Sequence, residues 1–199
     1  MFRVRKASLV TIIAVVLLLG GLYLLRGSRA IAGIPLDTPA PDFRLDAPYR
    51  GAVSIASYQG DAVLLTFGRP SCGAGCNPQL TTLADALDRL GDRRNDVRVL
   101  FATLEADLNE QQLLAFVQDY DLGFTGLRGD STAVRELAAA YREAEATVAD
   151  SVVSAAALAP AADGPRLYGI DRSGTLRAVW GPDDPAALAR DIRTLLRYR

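Results

Sequence analysis

The chain has 199 residues, half of them hydrophobic, with Gly and Pro near ordinary levels, which suits one domain with a well-buried core and excludes disordered, collagenous and disulfide-dense classes. The formal charge of −1 hides an asymmetry: five of the 22 basic residues and no acid lie in residues 1–30, leaving 17 basic against 23 acidic residues, a net −6, in the rest. A mildly acidic domain is a poor nucleic-acid binder, and the complete absence of histidine removes Ser-His-Asp and Cys-His catalysis and any imidazole base or ligand.

Residues 1–7 form a basic head carrying Arg3, Arg5 and Lys6, and residues 8–25 follow as eighteen uncharged, mostly apolar positions, just long enough to span a bilayer. The basic head predicts a cytoplasmic N-terminus and a domain on the extracytoplasmic (periplasmic or outer) face. A cleaved signal peptide is the rival, because Ser28-Arg29-Ala30 offers small residues for cleavage. Either way the domain is exported to a compartment where thiols meet oxidising conditions. Residues 26–38, with Gly, Ser and Pro and no apolar period, read as a linker, so the domain is expected over 39–199.

Residues 62–67 (AVLLTF) are a short, uniformly apolar run beside a Gly/Pro-rich loop, as expected of a strand buried on both faces. Residues 77–90 carry a helical stripe through Leu80, Leu83, Ala84, Leu87 and Leu90, and 97–104 (VRVLFATL) read as a second strand. Helices are expected over 111–120 and 132–146, and an irregular excursion over 148–162, which is Ala-rich with one charge. Residues 166–171 and 175–180 flank a compact Gly-containing turn and predict a hairpin, and 185–198 an amphipathic helix opening on Pro185. A β-α-β unit, a helix, a hairpin and a terminal helix make an α/β thioredoxin-like fold, a central mixed sheet flanked by helices, behind an N-terminal transmembrane helix.

The chemistry concentrates where the first strand meets the first helix, in Gly68-Arg69-Pro70-Ser71-Cys72-Gly73-Ala74-Gly75-Cys76-Asn77-Pro78, because open α/β sheets build sites at strand carboxyl ends. Thiols near a helix N-terminus see unpaired N–H groups that favour thiolate, and Arg69 is positioned as a cationic neighbour. Cys72 is expected to be the more acidic and exposed member, with Cys76 one turn inside as the resolving thiol. At this spacing two sulfurs converge on one ion or, if the first turn is irregular, on each other. A structural staple or two inert thiols is the plain alternative. Cys72 and Cys76 are thus the candidate catalytic pair and the candidate metal ligands. With Met1 they are the chain's only sulfur-bearing side chains, so a soft-metal site in the domain has at most two strong protein ligands. Pro165, ahead of the hairpin, is a candidate cis-proline, with an ordinary trans proline as alternative. Glu105 and Asp107 follow the second strand and either line the cleft or belong to a solvated loop, the latter favoured; Tyr168 and Trp180 read as core.

Five segments together resemble the Sco/SenC family: Pro39-Ala40-Pro41-Asp42-Phe43-Arg44-Leu45, residues 62–68, Ser71-Cys72-x-x-x-Cys76, residues 100–104, and Gly169-Ile170-Asp171-Arg172-Ser173-Gly174. The likeness covers residues 36–199, and the CxxxC after the first strand is its most specific element. The resemblance implies a membrane-anchored thioredoxin-like protein that binds copper through two cysteines and a distal histidine. It further implies help in loading the binuclear copper centre of cytochrome c oxidase, by Cu(I) delivery, by thiol reduction of target cysteines, or both. The expected partners are the membrane and a respiratory oxidase subunit or another redox protein, with no nucleic acid. An ungapped alignment back from Ile170-Asp171 places Asp163 at the histidine position, where a hard oxygen is a poor substitute for copper. Two competing readings are a general extracytoplasmic thiol-disulfide oxidoreductase without metal function and a non-catalytic domain with a stapled loop.

Overall fold

The structure is a computed structural model and describes residues 31, 33–152, 165–181 and 184–198. The chain divides into two units, and the second, Ile31–Arg199, holds every described residue. The basic head, the expected anchor and Asp163 lie outside the described residues. Among the described residues no helix is long and apolar enough to cross a membrane.

Among the described residues eight strands occur: β1 (Ile34–Pro39), β2 (Leu45–Ala47), β3 (Gly51–Val53), β4 (Ala62–Gly68), β5 (Val97–Thr103), β6 (Phe124–Leu127), β7 (Leu167–Ile170) and β8 (Thr175–Trp180). The helices are α1 (Pro78–Asp88), α2 (Glu110–Gln118), α3 (Ser131–Val152) and α4 (Pro185–Leu195). Six strands make one mixed sheet in the order β1-β8-β7-β4-β5-β6, with β4, β5 and β6 parallel and β7, β8 and β1 antiparallel. This is the α/β thioredoxin-like arrangement expected, and a separate hairpin pairs β2 with β3.

Alternation along the strands splits the core into two layers. Ala62, Leu64, Val97, Val99 and Phe101 face α1, α2 and α4 through Leu80, Leu83, Leu113, Val117, Leu188 and Ile192. Val63, Leu65, Leu100 and Ala102 face the other way, against Val134, Leu137 and Tyr141 of α3 and against Phe43, Leu45 and Val53 around the hairpin. Strand β4 is therefore covered on both sides, and its uniform apolarity follows from that position. Tyr168 and Trp180 are core residues as expected, and the Trp180 indole N–H donates to Asp191 Oδ2 at 2.8 Å.

Two boundaries differ from the sequence expectation. The domain starts before residue 39: β1 pairs with β8, and the Gly33 N–H donates to Asp191 Oδ2 at 3.3 Å, so residues expected in the linker complete the sheet. Pro35 and Pro39 hide this strand in the sequence, but it is an edge strand and loses few ladder bonds to them. Helix α3 runs to Val152, beyond the expected 146, into the Ala-rich segment expected to be irregular; Ala is the best helix former. Residues 153–164 lie outside the described residues.

Candidate functional site

Strand β4 ends at Gly68, where a Cβ would lie 2.3 Å from Asn77 Oδ1 and 2.7 Å from Phe101 Cε2, so only glycine fits. Beyond it the chain makes two 3₁₀ turns, Pro70–Cys72 and Ala74–Cys76, before α1 starts at Pro78. Gly73 joins them at φ 71°, a left-handed conformation that favours glycine. The turns close by Cys72 N–H to Arg69 O at 3.2 Å, Gly73 N–H to Pro70 O at 3.0 Å and Cys76 N–H to Gly73 O at 3.3 Å.

Cys72 and Cys76 are joined by a disulfide, with Cα atoms 5.7 Å apart. The first turn is thus irregular enough for the sulfurs to meet each other. Both residues are exposed, and neither lies within α1. This corrects the expectation of an outer Cys72 and an inner Cys76: helix α1 begins after both cysteines, and Cys76 is the one beside its start.

Asn77 is the N-cap of α1, yet its side chain does not cap the helix. It is fully buried and points back into the loop, where Nδ2 donates to Arg69 O at 3.0 Å and to Gly73 O at 2.8 Å. Its Oδ1 is buried without a hydrogen-bond partner. The loop carrying Cys72 is therefore tied to the residue that follows Cys76.

Glu105 is brought to the site, contrary to the favoured reading of a solvated loop. Its carboxylate accepts the Ser71 N–H at 3.2 and 3.3 Å, and it also accepts the Ser71 hydroxyl. The parallel pairing of β4 with β5, Gly68 opposite Thr103, makes this possible by ending both strands at one level. Asp107 is exposed and makes no hydrogen bond or ion pair among the described residues. Arg69 contributes its carbonyl to the loop; its side chain is exposed and forms no ion pair among the described residues. One cation and one anion thus flank the disulfide.

Pro165 stands ahead of β7, whose Leu167 lies opposite Thr66 in antiparallel register, so it approaches the β4 end from which the cysteine loop departs. Its peptide bond from Gly164 lies outside the described residues. The strand start is fixed by Thr66 Oγ1 donating to Arg166 O at 2.7 Å and by the largely buried Arg166–Glu145 ion pair at 2.9 Å to α3. Among the described residues no three or more His, Cys, Asp or Glu side chains cluster to hold a metal, so the cysteine pair has no third ligand of these types there. The sequence alone did not single out Asn77, and it favoured the wrong surroundings for Glu105. The only signal was the placement of each at an element end beside the cysteine loop.

The sequence model of the SCO1/SenC family matches residues 35–197. No curated protein sequence matches the chain. Among solved structures, Bradyrhizobium japonicum ScoI with copper bound is similar at 19% identity and TM-score 0.61, covering 80% of this chain and 100% of that one. The apo Sco1 protein of Thermus thermophilus is similar at 21% identity and TM-score 0.62, covering 85% and 99%. BsSco, described as a member of the Sco family of cytochrome c oxidase assembly proteins with a disulfide switch, is similar at 18% identity and TM-score 0.61, covering 81% and 95%.

Proposed function

Because the chain belongs to the SCO1/SenC family, we propose that it is an assembly factor for cytochrome c oxidase whose working centre is the Cys72–Cys76 pair. The observation that carries the reading is a disulfide on an exposed loop at the carboxyl end of β4, a strand covered on both faces, where an incoming thiol reaches it. Two electrons and two protons convert it to a dithiol. The dithiol then passes electrons to oxidised cysteines of a target, or loses its protons and takes up Cu(I) as cargo for delivery.

The donor set supports Cu(I) and not Cu(II). Two thiolates suffice for a soft monovalent ion, whereas Cu(II) prefers several nitrogen and oxygen ligands, and the chain has no histidine. The family resemblance and the basic, apolar N-terminus support a membrane anchor with the domain on the extracytoplasmic face. The general oxidoreductase is the second reading, favoured by the absence of histidine from the sequence.

Titrating the fully reduced protein with Cu(I) against a competing chelator separates the two. One Cu(I) per chain is expected, lost in both Cys72→Ala and Cys76→Ala, with no stable coloured Cu(II) complex. Asp163→His should introduce a lasting thiolate-to-copper charge-transfer band if residue 163 occupies the ligand position. Disulfide exchange without any Cu(I) binding would replace the copper reading with the oxidoreductase.

A further inference from the structure

We propose that Asn77 is a positioning residue for the redox step: its side-chain amide is a non-covalent cross-link, parallel to the disulfide, that keeps Cys72 and Cys76 poised when the disulfide is open. The inference rests on the reading of the pair as redox-active. Nδ2 bonds Arg69 O and Gly73 O, the carbonyls that bracket the Pro70–Cys72 turn, while the Asn77 backbone directly follows Cys76. Reduction breaks the S–S bond and leaves these two bonds in place.

The chain gives up stability for this arrangement. An N-cap asparagine ordinarily accepts a helix N–H and stabilises the helix, and Asn77 does not. Its Oδ1 is also buried without a partner, and such an oxygen carries a desolvation cost that a purely structural residue would avoid. In the oxidised form the disulfide already holds the loop, so the amide bonds are largely redundant. In the reduced form Gly73, unrestricted by a Cβ, would let the two sulfurs separate, and the amide bonds prevent it. The cross-link therefore raises the effective concentration of one thiol at the other and favours reclosure.

The test is equilibrium of the full chain with dithiothreitol, a small dithiol. Two electrons and two protons pass from the reagent to the Cys72 and Cys76 sulfurs, and the reagent closes to its cyclic disulfide. Asn77→Ala and the near-isosteric Asn77→Leu should each become roughly tenfold easier to reduce, a potential about 30 mV less negative. Asn77→Leu also removes the orphaned oxygen, so its oxidised form should melt no lower than the parent. A merely structural role would lower the melting temperatures of the oxidised and reduced forms equally and leave the potential where it was. A potential within twofold of the parent value in folded variants overturns the proposal. In the unmutated protein, the Asn77 Nδ2 protons should stay protected from solvent exchange after reduction; rapid exchange on reduction overturns it as well. Neither measurement involves copper or an oxidase, so an intact Cu(I) site with an unmoved potential sinks this inference alone, and a moved potential without Cu(I) binding sinks only the copper reading.

Discussion

The Asp171 carboxylate closes the β7–β8 turn. Oδ1 accepts from the Ser173 N–H and hydroxyl and from the Thr175 N–H, and Oδ2 from Arg177 Nε at 2.7 Å. Arg177 in turn reaches Asp37 of β1 and lies over the Tyr198 ring, so one carboxylate anchors the edge of the sheet. Burial pushes the Asp171 carboxyl up, but the hydrogen bonds from Ser173, Arg177 and Thr175 together outweigh it and hold the group below the usual carboxylate range. A folded value below the unfolded one stabilises the protein above the unfolded pKa, and that contribution is lost as pH falls through the folded value. Asp171→Asn should cost about 1.5–3 kcal/mol near pH 7, the range for a hydrogen bond to a charged group, and the difference from the parent should shrink in strong acid. Denaturant unfolding across pH checks this; a difference that does not change with pH would show that the charge is not what holds the turn. At the same scale the cysteines were legible in the sequence, because a glycine-rich strand-to-helix junction is where an α/β sheet places reactive groups. Asn77 and the contact of Glu105 were not, since a buried amide turned away from its own helix and a carboxylate meeting Ser71 depend on β4 and β5 ending together.

Among the elements, β7 and β8 are coupled by a close approach. Gly169 faces the Trp180 ring so tightly that a Cβ would fall 2.3 Å from Trp180 Cη2, and Gly33 meets the same indole from β1's end. Gly169→Ala should destabilise the domain by about 1–3 kcal/mol, the usual cost of forcing atoms into a filled core. Trp180 fluorescence should report both the displaced ring and the lower midpoint; an unchanged midpoint would mean that the sheet yields there at no cost. The central elements were readable from apolar runs and helical stripes. The elements missed were β1, with its two prolines, β6, only four residues of FTGL, and the three-residue strands of the β2–β3 hairpin. Each is too short or too proline-rich for its period to register, and each depends on its pairing and packing rather than on local propensity.

At the scale of the whole molecule, the domain carries a net −6 beyond residue 30, and its exposed disulfide loop is flanked by Arg69 and Glu105. Neither composition nor fold alone separates a copper carrier from a thiol reductase, because both use two adjacent sulfurs on this scaffold. Under the proposed function, copper delivery and thiol reduction alike would make oxidase assembly depend on both cysteines. The most direct measurement is cytochrome c oxidase activity in membranes of host cells whose own copy is replaced by Cys72→Ser or Cys76→Ser. Oxidase activity should fall in both variants to the level of cells lacking the protein, with the variant chains present in normal amount. Full oxidase activity with either cysteine removed would contradict the assignment of the pair as the working centre.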